Sequence, residues 1–176
     1  MFEDVFKLTQ PAPSEAGASA AQAELGPGTR APAPGVYNDG LLVVLGAAFG
    51  NRCFSSWADP DRVWPIAYAG LGDVFVWDRQ KKIPQIISVQ LAQLVPAGDS
   101  IANLFDSVLL RDEIIAAILR RDLVPELIRR YGPLKYDQYY IQEPWMMLGG
   151  DENPDKFSSG DVGVYVNLVG QTHFTG

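Results

Sequence analysis

The rhythm of apolar and polar positions divides the chain into three parts. Residues 11–34, PAPSEAGASAAQAELGPGTRAPAP, carry no sustained apolar period and are dominated by Pro, Ala, Gly and Ser. They read as a flexible linker or a loosely docked arm: the central SEAGASAAQAEL can form a helix capped by Ser14, but its face is mostly alanine and buries little. From Val36 the pattern becomes strand-like. Residues 41–45 form an unbroken apolar run after an Asn38-Asp39-Gly40 turn, and residues 66–68, 73–78 and 83–89 follow as successive antiparallel strands. In 73–78, Val74, Val76 and Asp78 share one face and Phe75 and Trp77 the other, which predicts partial cover on both. Asp59-Pro60-Asp61 marks a turn or helix start, with Trp57 and Trp64 as core or rim anchors on either side. Arg79-Gln80-Lys81-Lys82 reads as a solvated turn.

The period then lengthens. Ser100 can cap a helix in which Ile101, Leu104, Phe105, Val108 and Leu109 fall at i, i+3, i+4, i+7 and i+8. A second helix over about 111–122 places Ile114, Ile115, Ile118 and Leu119 inward. Pro125 suits the first turn of a third, which Gly132 and Pro133 stop after Tyr131. Residues 144–148 form an apolar run short enough for a buried strand with Gly149-Gly150-Asp151 as its turn, and residues 162–169 alternate as a final strand. The fold class expected is α+β: a mostly antiparallel curved sheet with three consecutive helices packed on it. Residues 1–34 form an N-terminal segment with its linker, and 35–176 a single domain.

Composition narrows the function. With 47% hydrophobic and 11% aromatic residues in 176, the core can be sizeable. The net charge of −7 disfavours phosphate backbones and anionic membranes and favours a basic partner. The acid is uneven: residues 132–176 hold two Lys and six Asp or Glu. The single cysteine, Cys53, excludes an intrachain disulfide and a cysteine metal site and points to a reducing compartment. The opening MFEDVFKLTQ lacks the basic start and apolar run of a secretory signal, and no stretch is apolar over the roughly 18 residues a membrane span needs. A soluble cytoplasmic protein is expected.

Candidate chemistry is sparse. His173 stands near a glycine end, where a general base is hard to fix; Cys53 has no histidine near it in sequence, and a packed thiol is its simpler role. Asp73 and Asp78 bracket a strand, and Asp151, Glu152 and Asp155 cluster after the glycine pair without the ligand spacing of a calcium loop. No phosphate-binding glycine motif is present, since Gly70-Leu71-Gly72 precedes a strand rather than a helix. The expectation is a binding protein, not an enzyme, with no cofactor. Tyr136, Tyr139 and Tyr140 beside Asp137 and Glu143 have the amphipathic character of interface anchors, and packing over the helix end is their alternative. Together with Asp151, Glu152 and Asp155 they form the candidate partner-binding set.

Four motifs in order carry a family resemblance: the helix ending Gly132-Pro133-Leu134, the aromatic approach 136–140, the closing Leu148-Gly149-Gly150, and the segment 162–171 ending in Gly170-Gln171. Upstream, residues 37–41 and 70–77 look like paired strands of the same pattern. Over about 35–171 the chain resembles a bacterial family of type VI secretion immunity proteins, in which a GAD-like region precedes a C-terminal immunity domain. It departs from that family at residues 11–35, which are Ala/Pro/Gly-rich where an amphipathic helix is usual. The resemblance implies a protein that binds a cognate effector toxin, often a nuclease, and blocks its active site. A regulatory interaction module of the broader SMI1/KNR4-like type, and a small enzyme using Asp/Glu acid–base chemistry, are the other readings open at this point.

Overall fold

The computed structural model describes residues 1–25, 30–49, 56, 57, 59 and 61–174, with Phe174 in its backbone only. Cys53 and Pro60 lie outside the described residues. The elements run α1 (Phe2–Val5), β1 (Leu8–Pro11), α2 (Ala20–Leu25), β2 (Gly35–Tyr37), β3 (Leu42–Val44), β4 (Val63–Ala69), β5 (Val74–Asp78), β6 (Ile83–Ser88), β7 (Gln93–Pro96), α3 (Ile101–Asp106), α4 (Asp112–Ala117), α5 (Val124–Tyr131), β8 (Gln138–Gln142), β9 (Phe157–Asp161) and α6 (Val162–Phe174). The fold is α+β. Among the described residues, β1 to β7 form one sheet in chain order, and each neighbouring pair is antiparallel. A separate pair, β8 and β9, sits beside it.

The central strands are built as their sequence demands. Val74, Phe75 and Val76 are each at most 1% exposed, so both faces of β5 are covered. The β2–β3 turn is tight because Asn38 and Asp39 accept left-handed backbone (φ 47° and 58°), which their short polar side chains tolerate. Asn38 also stitches in the N-terminus: its Oδ1 accepts the Lys7 N–H (2.8 Å) and its Nδ2 donates to the Val5 carbonyl (3.1 Å). Asp78 closes the β5–β6 turn by accepting the N–H groups of Gln80 (3.0 Å) and Lys81 (2.8 Å) and pairing with Arg62 (3.0 Å). Burial of Asp78 opposes its ionisation, but Arg62 and the two amides outweigh it and hold the carboxyl below its usual range.

The N-terminal stretch, expected to be a flexible linker or loosely docked arm, docks over its described length. β1 adds to the sheet edge along β2, and Ala16, Ala20 and Ala21 are buried. Alanine suffices here because the backbones approach closely. Arg79, expected in a solvated turn, forks onto Glu24 of α2 (3.1 and 3.2 Å from Nε) while its guanidinium stacks 4.3 Å from the centre of the Trp64 ring. Phe2 and Phe6 stack on each other at 4.7 Å, and Phe2 meets Tyr37 and Phe105 edge-on.

The three expected helices are α3, α4 and α5. Ser100 caps α3 by accepting the Asn103 N–H (3.1 Å), and Val108 and Leu109 follow in a 3-10 turn instead of prolonging it. α4 is shorter than the sequence period suggested, and the chain turns at Arg120 (φ 53°). Pro125 lies in the first turn of α5, and Gly132 ends it at φ 82°.

Two segments differ from expectation. Residues 144–148 are not a core strand: β8 ends at Gln142, and Met146–Leu148 form an exposed 3-10 turn, since Pro144 has no N–H to continue a ladder. Residues 162–169 are not a strand but the start of α6. Asp161 Oδ1 accepts the Val164 N–H (2.8 Å) as a helix cap, and Val162, Tyr165, Val166 and Val169 bury at i, i+3, i+4 and i+7. The β-branched run obscured that period.

Candidate functional site

The three candidate tyrosines belong to the interior. Tyr136, Tyr139 and Tyr140 are 7%, 0% and 1% exposed. Tyr136 ties distant parts together: its hydroxyl accepts the Gly46 N–H (2.6 Å), and its carbonyl accepts the Tyr68 hydroxyl (2.6 Å). Tyr140 donates its hydroxyl to the Gly132 carbonyl (2.6 Å), sealing the end of α5. Tyr139 packs on Tyr165 at 4.7 Å and lies against Gly72, where any Cβ would stand 2.9 Å from its ring. As placed, they order the fold and offer no exposed anchor, because β8 is covered by the β4–β5 turn on one side and by α6 on the other.

The candidate acids are all at the surface. Asp137 and Glu143 are exposed, and Glu143 accepts the Ser158 hydroxyl (2.5 Å). Asp151, Glu152 and Asp155 are braced by cations: Asp151 by Lys156 (3.0 Å), Glu152 by Arg120, and Asp155 by Arg130. The Lys156 hydrogen bond holds the Asp151 carboxyl below its usual range. The loop after Gly150 is therefore a fastened acid–base surface joined to α5 and to the turn at Arg120, rather than a free acidic tail.

Beside it lies an exposed apolar strip, where the sequence pattern predicts core. Met146, Met147 and Leu148 are 39%, 38% and 67% exposed, and Val164 and Leu168 of α6 also face solvent. The Thr172 hydroxyl lies 3.8 Å from the Met147 sulfur, so the turn and the helix are adjacent. Exposed apolar groups rimmed by charge are the usual marks of a protein-binding surface.

A cavity of about 320 Å³ opens between the β4–β5 turn, the β6–β7 turn, the end of α4 and β8. Leu71, Leu91, Ile118, Leu123, Met146 and Phe157 give it apolar walls; Asp73, Ser88, Gln90, Arg120, Gln142 and Glu152 give it polar ones. Burial pushes the Asp73 carboxyl up to about 6, against the hydrogen bonds from Ser88 and from the Val89 N–H (3.3 Å) and the more distant Arg120. The sequence offered Asp73 only as one end of a strand. Nothing in its spacing announces that Gln90, Gln142 and Glu152, from three other segments, converge on it. Among the described residues no group of three or more His, Cys, Asp or Glu side chains could hold a metal ion.

Asp73 sets a pH dependence of stability. A carboxyl whose pKa rises on folding binds its proton more tightly in the native state, so stability falls as pH climbs from about 4 through 6 and the ionised form settles at a cost. The charged groups facing it are Arg120 and Glu152, with Tyr140 and Tyr165 nearby. Asp73→Asn is therefore expected to raise the melting temperature at pH 7.5 relative to wild type, with the difference shrinking toward pH 4. Melts of both proteins across that range check it, and a variant less stable at pH 7.5 than at pH 4, relative to wild type, would contradict it.

No helix among the described residues is long and apolar enough to cross a membrane. The fold is shared with the crystal structure of Atu4351 from Agrobacterium tumefaciens, at a TM-score of 0.69 and 16% identity, covering 96% of this chain and 86% of that one. No curated protein sequence matches the chain. Residues 99–173, which run from the cap of α3 through the braced acidic loop to α6, match the family described as T6SS immunity protein Tdi1, C-terminal. The similarity of this stretch is to a type VI secretion immunity protein family.

Proposed function

We propose that the protein neutralises a cognate type VI effector, a nuclease with a basic substrate path, by binding over its active site or along that path. The family match over residues 99–173 carries this reading. The net charge of −7 supports the nuclease as target, because a surface evolved to grip phosphates attracts an acidic partner and speeds encounter. The contact surface proposed is the apolar strip Met146, Met147 and Leu148 flanked by Asp137, Glu143, Asp151, Glu152 and Asp155. The buried Tyr136, Tyr139 and Tyr140 support it from beneath, as framework.

The test is kinetic. Neutralising Asp151, Glu152 and Asp155 to Asn or Gln is expected to slow association with the co-purified effector roughly tenfold at low salt and to flatten its salt dependence. Leu148→Ser with Met147→Ser should instead speed dissociation. Effector binding that ignores both sets would move the interface elsewhere; an effector that never binds the wild-type chain would overturn the immunity reading. One observation favours an enzyme instead, the carboxyls of Asp73 and Glu152 lining a single cavity. Turnover abolished by Asp73→Asn would carry that reading.

A further inference from the structure

We propose that the cavity lined by Asp73 receives an arginine side chain presented by a protein partner. The inference rests on the reading of the chain as a binder of a basic partner and names a specific socket for it.

Three observations lead there. The first is charge left without a mate. Arg120 shares the cavity wall, but it is bound by Glu152 and lies 3.6 Å from Asp122, so its charge is already matched. Asp73, by contrast, forms no ion pair among the described residues; its hydrogen-bond partners are the neutral Ser88 and the Val89 amide, and Arg120 acts on it only from a distance. A cation entering the cavity therefore meets an unmatched carboxylate, whereas an anion would have to displace Glu152.

The second observation is unsatisfied polar capacity. Gln142 is only 7% exposed, and its Nε2 finds no hydrogen-bond partner; the Oε1 of Gln90 is likewise buried and unpaired. A buried polar group without a partner costs about 1–3 kcal/mol, a penalty that a ligand supplying the partner removes. Gln90 presents an unpaired oxygen as it stands, and rotation of the Gln142 amide puts its oxygen in place of the unpaired nitrogen, so that with the carboxylate the two amides can supply acceptors to a cation. A guanidinium, planar with five fixed N–H donors, can address several acceptors at once, which the compact ammonium of lysine does less well.

The third is the shape of the walls. Leu71, Leu91, Ile118, Leu123 and Phe157 line the same cavity as Asp73 and suit an aliphatic stem. At about 320 Å³ the cavity lies at the small end of ligand sites, with room for one long side chain. Its rim carries Leu91, 55% exposed, and Met146, 39% exposed, and Met146 also begins the apolar strip beside the acidic loop. An arginine entering here would sit at the edge of that contact surface, surrounded by apolar groups that exclude water.

The experiment needs no effector. The full chain is titrated with n-butylguanidinium and, separately, with n-butylurea, its neutral isostere, while backbone amide shifts are followed. Saturable shifts centred on residues 71–73, 88–91 and 140–142 with the guanidinium, and at least about tenfold weaker binding of the urea, are expected. Asp73→Asn should weaken guanidinium binding by a similar factor while keeping a folded spectrum, and Gln90→Ala should weaken it several-fold. Equal binding of the two probes, no saturable shift, or a folded Asp73→Asn variant that binds as wild type would each overturn the socket. The effector is then tested separately with the same variants. A wild-type chain that binds the probe but no effector would refute the immunity reading and leave the cation site standing. An effector bound equally by wild type and Asp73→Asn would show that the partner's arginine does not use the socket.

Discussion

Removal of residues 1–34 is expected to unfold the protein or bring it to the edge of unfolding. The segment supplies Phe2 and Phe6, 3% and 1% exposed, as well as Ala20 and Ala21, and its loss would uncover Val36, Tyr37 and Phe105, all at most 3% exposed. Each buried phenylalanine alone is worth about 3–5 kcal/mol against alanine. Two of them approach the whole stability of an ordinary domain, about 5–15 kcal/mol. The Glu24–Arg79 fork and the β1–β2 ladder would go as well. Denaturant unfolding of the full chain and of residues 35–176, followed by tryptophan fluorescence, measures the difference. A truncated chain that unfolds cooperatively at the full chain's midpoint would show that the arm contributes nothing.

Tyr139 should respond in opposite ways to two substitutions. Tyr139→Ala would leave a cavity under the β4–β5 turn beside Tyr165 and Gly72 and is expected to cost about 3–5 kcal/mol. Tyr139→Phe keeps the ring and deletes a hydroxyl that is buried without a partner, so it should be neutral or stabilise by up to about 1 kcal/mol. Burial also pushes that hydroxyl's pKa well above its usual value, so it stays un-ionised at neutral pH in either test. Equilibrium unfolding of both variants decides the matter. A Tyr139→Ala protein of wild-type stability that nonetheless loses the proposed effector binding would return the residue to the interface.

The central strands, the three helix positions and the α+β class were legible because their signals are local: unbroken apolar runs, an apolar period with a Ser100 cap, and Pro125 and Gly132 at the ends of α5. The misreadings share a cause. The residues 144–148 look like core because all of them are apolar, and only the tertiary context leaves Met146 to Leu148 in solvent. Residues 162–169 satisfy a two-residue and a three-to-four-residue period at once, and the Asp161 cap was the cue that could have separated them. Among the candidate site residues, the acids lie at the surface and the tyrosines take the alternative place over the helix end, since an aromatic beside an acid has the same sequence appearance in either position. The cavity was invisible, because its polar groups come from segments far apart in the chain and converge only once β8 lies against the β4–β5 turn, where the Tyr140 N–H bonds the Gly70 carbonyl at 2.8 Å.

The large sheet is a meander in which every strand pairs with its sequence neighbours. As the chain leaves the ribosome, each strand can join the one before it by closing a short loop, so more than half of the 176 residues can assemble before the matched C-terminal region has been synthesised. That region arrives after the sheet and is fitted to it through long-range tyrosine bonds, among them the Gly46 N–H to the Tyr136 hydroxyl and the Tyr68 hydroxyl to the Tyr136 carbonyl. The stretch that bears the family's signature is thus, in the order of synthesis, a later piece laid onto a template that is the less recognisable part of the sequence.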